Sequence, residues 1–507
     1  MKMQPQKDIT WTQVQTHRWE RDIDEVENFY TTLARRFQGT GRTFFAMTAH
    51  ISFSVPRIES SRESTEERVT QALQKAWMRI RYDHPTIASW VYYQPESGRC
   101  RKVYETFPES QNVHILDWLN ETFHIVSTSQ SGQEWCNSDP PVPKRPTLFF
   151  LKHPVSSLDR CSYDLVLRSQ HDIIDGIGSL HLLNNLFNYA SVAFHDVEGF
   201  EVPHFGDETK SLSPPFRIAA SVPFSLTTEQ TKRVDNMIKT NSQLRNGVEI
   251  ATVPFKSGTT VPGRHQRACL TLEPAYTAKL LASCKGLGAS VTHVYHAALA
   301  IILRDIQERR PGERQVRYIN YSLINERGHC RPPYNTPAHA VSVYHSVSGQ
   351  SLVIDLAGPT PFTAEKELKV KGQEFLRVVE EVKSYYQAIR DDQEHVYLAP
   401  TYWALSTPPY PPGPEVPEIP SPNEAPSVSI SSLGIIDKII SPSQGIFELY
   451  DPWVTGEELG TGLGLFLGTF RGAMCLSIAY NDAWHTEGEA TNFINRCNSL
   501  VLECLEL

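Results

Sequence analysis

Hydrophobic and polar positions along this chain follow two periods in turn. Residues 44–55, FFAMTAHISFSV, are apolar and rich in aromatic and β-branched side chains, which predicts a strand ended by Pro56. Beyond it Val69, Leu73, Ala76, Trp77 and Ile80 recur at helical spacing. Ser64 and Glu67 read as the capping box of that helix and His84-Pro85 as its stop. SWVYYQ and RKVYETF read as a hairpin, PTLFFLKHPV and SYDLVLRSQ as further strands. In the last of these Tyr163, Leu165 and Leu167 alternate with Asp164, Val166 and Arg168. The period then changes: Leu180, Leu183, Leu186, Phe187 and Ala190 share one face of a helix over 179–194. His171 stands at that change, where the strand ends.

A weakly patterned stretch, 206–248, reads as a crossover with one helix over Thr228 to Gln243. A second unit, 249–507, follows the first, 1–205. It opens with the strand QRACLTL and a helix with proline at its first turn and glycine past its end. A helix over 292–306, strands VRYINYSLIN and AHAVSVYHSVS, and a long helix over 365–389 come next. Residues 408–426 hold nine prolines and read as a stiff surface loop. Strands around FELYD, LGLFLGTF and AMCLSIAYND and a last helix from Glu487 complete the chain.

Length supports the division, because 507 residues exceed one hydrophobic core. A net charge of −9 argues against a nucleic-acid partner. No run approaches the roughly 20 apolar residues that span a bilayer, and the polar start lacks a signal core, so a soluble, cytoplasmic protein is expected. The nine cysteines include no CxxC pair, so neither a zinc nor a disulfide framework is expected.

Three readings of His171 are open on the residues alone. A metal site needs three or four converging ligands, and only Asp172 and Asp175 lie nearby in sequence. A structural histidine at a strand end is the ordinary case. A general base is the third: neutral imidazole accepts a proton near pH 7, and a strand-to-helix loop gives it a rigid frame. Gly176 and Gly178 would let backbone pass close to a ligand. Gly460 to Gly468 looks like a phosphate loop but lacks the Lys-Ser/Thr ending and leads into a strand. His293 and His296 share a helix and read as packing.

His171 to Gly176, HDIIDG, resembles the H-x-x-x-D-G signature of the CoA-dependent acyltransferase superfamily, which includes chloramphenicol acetyltransferase, plant BAHD enzymes and peptide-synthetase condensation domains. ALQKAWMRIRYDHPTIAS resembles that group's first helix, and TLEPAYTAKLLASCKGLGASVTHVYHAALAIIL the opening of its second half. INERGHCRPP, VSISSLGIID and GTFRGAMCLSIAYNDAWHTEGEATNFI resemble its later segments. The likeness covers about residues 40–505 and looks strongest to fungal secondary-metabolite acyltransferases of the trichothecene 15-O-acetyltransferase kind. Gln170 stands where condensation domains carry another histidine, and no D-F-G-W-G motif is present.

The resemblance implies an α/β (α+β) fold of two chloramphenicol-acetyltransferase-like subdomains, each a mixed sheet flanked by helices, with a tunnel between them. It implies acyl transfer from acyl-CoA, with acetyl-CoA the expected co-substrate, to a hydroxyl of a small-molecule alcohol. His171 would be the general base. Asp175 would hold the loop through an arginine of the second half, Arg327 first and Arg331 second. Gly176 would give clearance. Ser431, Ser432 and Asn481 are candidates to bind the oxyanion or line the tunnel. No metal, no bound cofactor and a monomer are expected. The alternative is a free-standing condensation-like enzyme fed by a carrier protein.

Overall fold

The computed structural model describes residues 8–57, 62–108, 111–154, 159–196, 199–201, 204–307, 315–358 and 364–507. Its largest sheet has six strands, ordered Ser443–Gln444, Phe447–Gly456, Met47–Pro56, Arg160–Ser169, Thr147–Lys152, Phe123–Ser127. Helices Arg62–Asp83 and Gly176–His195 cover one face. Their apolar stripes (Leu73, Trp77 and Ile80; Leu183, Leu186 and Phe187) form one core with Ile51, Phe53 and Leu165 of the sheet. Thr12–Gln15, Arg18–Asp22, Arg99–Glu105 and Trp90–Gln94 form a separate antiparallel sheet.

The second half centres on the sheet His265–Leu272, Ala473–Asn481, Leu463–Phe470, Val428–Ile435, with helices Pro274–Gly286, Val291–Ile306 and Glu487–Cys504 around it. Its core is distinct and includes Leu280, Val294, Ile301, Leu465, Leu476 and Ile494. Two elements cross between the halves. Phe447–Gly456, read from sequence as part of the second unit, pairs with Met47–Pro56 of the first. Helix Glu25–Phe37 packs on helix His395–Ser406, and a third core joins Val26 and Tyr30 to Val343, Tyr344, Ala399 and Trp403.

Several sequence expectations are corrected. The strand read over 44–55 begins at Met47, and the stretch before it, where no element was read from the sequence, holds two strands and helix Glu25–Phe37, opened by an Asp24/Glu27 capping box. Ser64 and Glu67 lie inside helix Arg62–Asp83, which begins two residues before Ser64. VRYINYSLIN divides into strands Gln315–Asn320 and Leu323–Asn325 on different sheets, because Asn320 Oδ1 captures the Tyr321 amide at 2.8 Å and Ser348 Oγ the Ser322 amide at 3.0 Å. Of AHAVSVYHSVS only His345–Val347 is strand, since the backbone before it turns inward to meet Asp175 and Arg327. Helix Thr228–Gln243 and the proline-rich 408–426, which forms no helix or strand, are as the pattern predicts.

Candidate active site

Strand Arg160–Ser169 is paired on both sides, so its end is a fixed point. The chain then turns, with Ile173 N donating to Gln170 O at 3.3 Å, and His171 sits in that turn. Gln170 is directed elsewhere: its Nε2 donates to Pro143 O at 2.6 Å.

Asp175 stops the turn and starts the helix. As N-cap of Gly176–His195 it accepts from Gly178 N at 2.7 Å through Oδ1, satisfying an otherwise unpaired helix-end amide. Oδ2 accepts from Arg327 Nη1 at 2.9 Å and from Tyr344 N at 2.8 Å. Asp175 N donates to Ser342 O at 3.2 Å. Burial opposes ionisation of this carboxyl, but Arg327 and the nearby His345 outweigh it and hold it well below the usual carboxylate range. These bonds tie Asp175 to the start of its own helix and to the segments of Arg327 and Tyr344, and none of them goes to His171. Arg331 is exposed and takes no part in this pairing.

The other side of the turn is clamped by the helix Glu25–Phe37. Thr31 Oγ1 donates to Asp172 Oδ2 at 2.8 Å, and the fully buried Lys102 donates to Asp172 O at 2.5 Å and to Glu27. Glu27 also takes a two-pronged pair from Arg21 at 2.6 Å. Its carboxyl is pulled down to about 2, because Arg21 and Lys102 overcome the cost of burial. Both flanks of His171 are thus tied by ion pairs with little exposure to solvent.

His171 itself is 7% exposed. Tyr30 lies flat on its ring, centroids 3.8 Å apart and planes 8° apart. Phe45 and His345 stand at 5.6 and 5.3 Å. Nδ1 is buried and has no hydrogen-bond partner. Burial pushes the imidazole down to about 3, and the facing His345 adds to this. The ring is neutral throughout the physiological range, in the form that accepts a proton.

Tyr30 and His345 were not singled out in the sequence. The usable signal was the D-x-x-E box at Asp24–Glu27 ahead of Phe29 and Tyr30, which marks a helix; His345 carries no comparable local mark. Gly176 has modest need of its missing side chain, since an added Cβ would meet Val454 Cγ2 at 3.3 Å. Gly178 is the demanding position: a Cβ there would lie 2.3 Å from Ala340 O and 2.8 Å from Arg327 Nη2.

The structure does not gather the remaining candidates at His171. Ser431 is half-buried and Ser432 exposed on strand Val428–Ile435. Asn481 is removed as a free donor: its Nδ2 serves Gly263 O and Glu458 O, and its Oδ1 accepts from Gly263 N and Ala483 N. Among the described residues no group of three or more His, Cys, Asp or Glu side chains could hold a metal ion. No single helix among them is long and apolar enough to cross a membrane.

Residues 36–331 match the model of the family described as 15-O-acetyltransferase Tri3. The chain belongs to the Tri3 family. As a Tri3-family protein it is an acyltransferase. Acetyltransferase pigO of Monascus ruber is 23% identical over 97% of this chain and 98% of its own length. O-acetyltransferase pigM of the same organism is 24% identical over 94% of the chain and 84% of its length. The solved trichothecene 15-O-acetyltransferase TRI3 of Fusarium sporotrichioides superposes with a TM-score of 0.77 at 16% identity, covering 98% of both chains. The first condensation domain of the CDA synthetase gives 0.59 at 14% identity over 96% of each. The Tri3-family fold is therefore the mixed α/β condensation-type fold, with sheets flanked by helices.

Proposed function

We propose that this acyltransferase moves an acyl group, acetyl in the simplest case, from acyl-CoA to a hydroxyl of a secondary metabolite, with His171 as general base. The observation that carries the reading is His171: a buried, neutral imidazole at the turn that Asp175 and Arg327 lock to the rest of the molecule. Residues 1–205 and 249–507 would supply opposite walls of a tunnel, so donor and acceptor reach the ring from different faces.

In this mechanism the acceptor hydroxyl lies against Nε2. Its oxygen attacks the thioester carbonyl as the imidazole takes the proton. The tetrahedral intermediate collapses, the C–S bond breaks, and the imidazolium returns the proton to the departing sulfur. The proton balance closes with one base and no covalent acyl-enzyme. Because the imidazolium is disfavoured by burial, it stays short-lived, next to the negative charge that balances it. Holding the two reactants within about 3–3.5 Å supplies much of the acceleration.

The test is a screen of acetyl-CoA and longer acyl-CoA esters against hydroxylated polyketide and terpenoid alcohols, read by ester mass and thiol release. Ester formation from a free CoA donor supports the reading. Ester or amide formation only from a carrier-protein-bound acyl group would replace it with the condensation-type reaction.

A further inference from the structure

A catalytic imidazole needs a fixed plane as well as a free nitrogen. Commonly a carboxylate bonded to Nδ1 provides that plane, as in the Ser-His-Asp arrangement. Here the neighbouring carboxylates are spent. Asp175 is taken by Gly178, Arg327 and Tyr344, Asp172 by Thr31, and Nδ1 of His171 has no partner.

Tyr30 meets that need. Its ring is nearly coplanar with the imidazole at stacking distance, so rotation of His171 about χ2 would drive ring edge into ring face. Tyr30 is itself held. Its hydroxyl lies 2.9 Å from His345 Nε2, and Phe29 and Trp403 close on its ring at 5.1 and 5.9 Å. Burial pushes the Tyr30 hydroxyl far above its ordinary range, so it stays protonated and shares its hydrogen bond with His345 Nε2. His345 Nδ1 lies 3.8 Å from Asp175 Oδ2. His345 is fixed in turn by its strand pairing to Asn325 and by Trp403 Nε1, which donates to His345 O at 3.3 Å.

We infer that Tyr30 and His345 are positioning residues that set the plane of His171, His345 by holding Tyr30 and Tyr30 by stacking. The inference rests on the reading of His171 as the base. It assigns the helix Glu25–Phe37 a part in the reaction: that helix brings Tyr30 from the first half, the strand His345–Val347 brings its anchor from the second, and the imidazole lies where they meet. Charged and titratable groups around the imidazole are Asp175 with Arg327 on one side, His345 and Tyr30 on the other, and His181 one turn into the following helix, near both Asp175 and Arg327.

The test uses full-length Tyr30→Phe, Tyr30→Leu and His345→Phe variants, with two readouts. The first is NMR titration of the His171 ring, which needs no substrate. The second is kcat and KM for thiol release from acetyl-CoA with an alcohol found by the screen above. Tyr30→Phe keeps the stack but loses the hydroxyl's bond to His345, so both readouts should fall between wild type and Tyr30→Leu. Tyr30→Leu opens one ring face to water, so the His171 midpoint should rise by at least about one pH unit. Its kcat should fall about 10- to 100-fold with KM little changed, the cost of about 1 Å of misplacement. His345→Phe, which retains a ring but removes the hydrogen-bond partner of the Tyr30 hydroxyl, should match Tyr30→Phe, and it carries the same test if the leucine variant does not fold. A wild-type titration and kcat in both Tyr30→Leu and His345→Phe would overturn the inference. If His171→Ala were as active as wild type, the proposed mechanism would fail instead, while the NMR result would still report whether Tyr30 holds the ring.

Discussion

Arg327 Nη1 lies 2.9 Å from Asp175 Oδ2 across 152 residues of chain, and both side chains are almost wholly buried. The same carboxylate caps the helix that follows His171. One residue thereby fixes a local turn and ties it to the other half of the molecule.

Removing either charge leaves the other buried without its partner. Asp175→Asn and Arg327→Met should each destabilise the protein by about 3–5 kcal/mol. The double variant should lose clearly less than the sum. Urea unfolding of the four proteins measures this, and strict additivity would show that the pair is not coupled. Arg331→Met, at an exposed site, should stay within about 0.5 kcal/mol of wild type.

Acid should act on folding more than on the base. His171, with His84, His181, His265, His296 and His339, is held by burial at about 3 to 4, below the ordinary value of 6.5. Between those values the unfolded chain binds more protons than the folded one. Stability from these groups is therefore complete above pH 6.5 and is lost as pH falls through about 4 to about 3. The depressed Asp175 and Asp164 carboxyls push the same way at still lower pH. In stopped assays, kcat/KM should show no histidine-type step near pH 6.5. A step there in fully folded enzyme would mean that His171 titrates as an ordinary imidazole.

Gly178→Ala and Gly176→Ala should separate sharply. The first places a Cβ against backbone Ala340 O and against Arg327, so helix or guanidinium must move, at a cost of about 1–3 kcal/mol or more. The second meets only a valine methyl and should be tolerated, with added helix propensity in its favour. Thermal melts decide between them; equal melting temperatures would contradict the packing described.

The local parts of this site were legible in the chain. Alternation over 163–168 followed by helical spacing over 180–190 put His171 at a strand-to-helix turn, and the resemblance of INERGHCRPP to the family's segment pointed to Arg327. What escaped were features made by distant meetings. Tyr30 looks like any aromatic of an amphipathic helix until the helix docks against Trp403 and His171. AHAVSVY reads as strand by composition, but its backbone serves Asp175 and Arg327 instead of a neighbouring strand. Phe447–Gly456 has a strand's pattern, and nothing in that pattern says that its partner lies about 400 residues earlier. Asn481 looked available because sequence cannot reveal four hydrogen bonds already made.

The central claim is that His171 transfers the proton in acyl transfer. Thiol release from acetyl-CoA in the presence of an accepted alcohol, compared between wild type and a folded His171→Ala variant, tests it most directly. The account expects a loss of about 100-fold or more in kcat with acetyl-CoA affinity retained. Wild-type turnover in the alanine variant would contradict it.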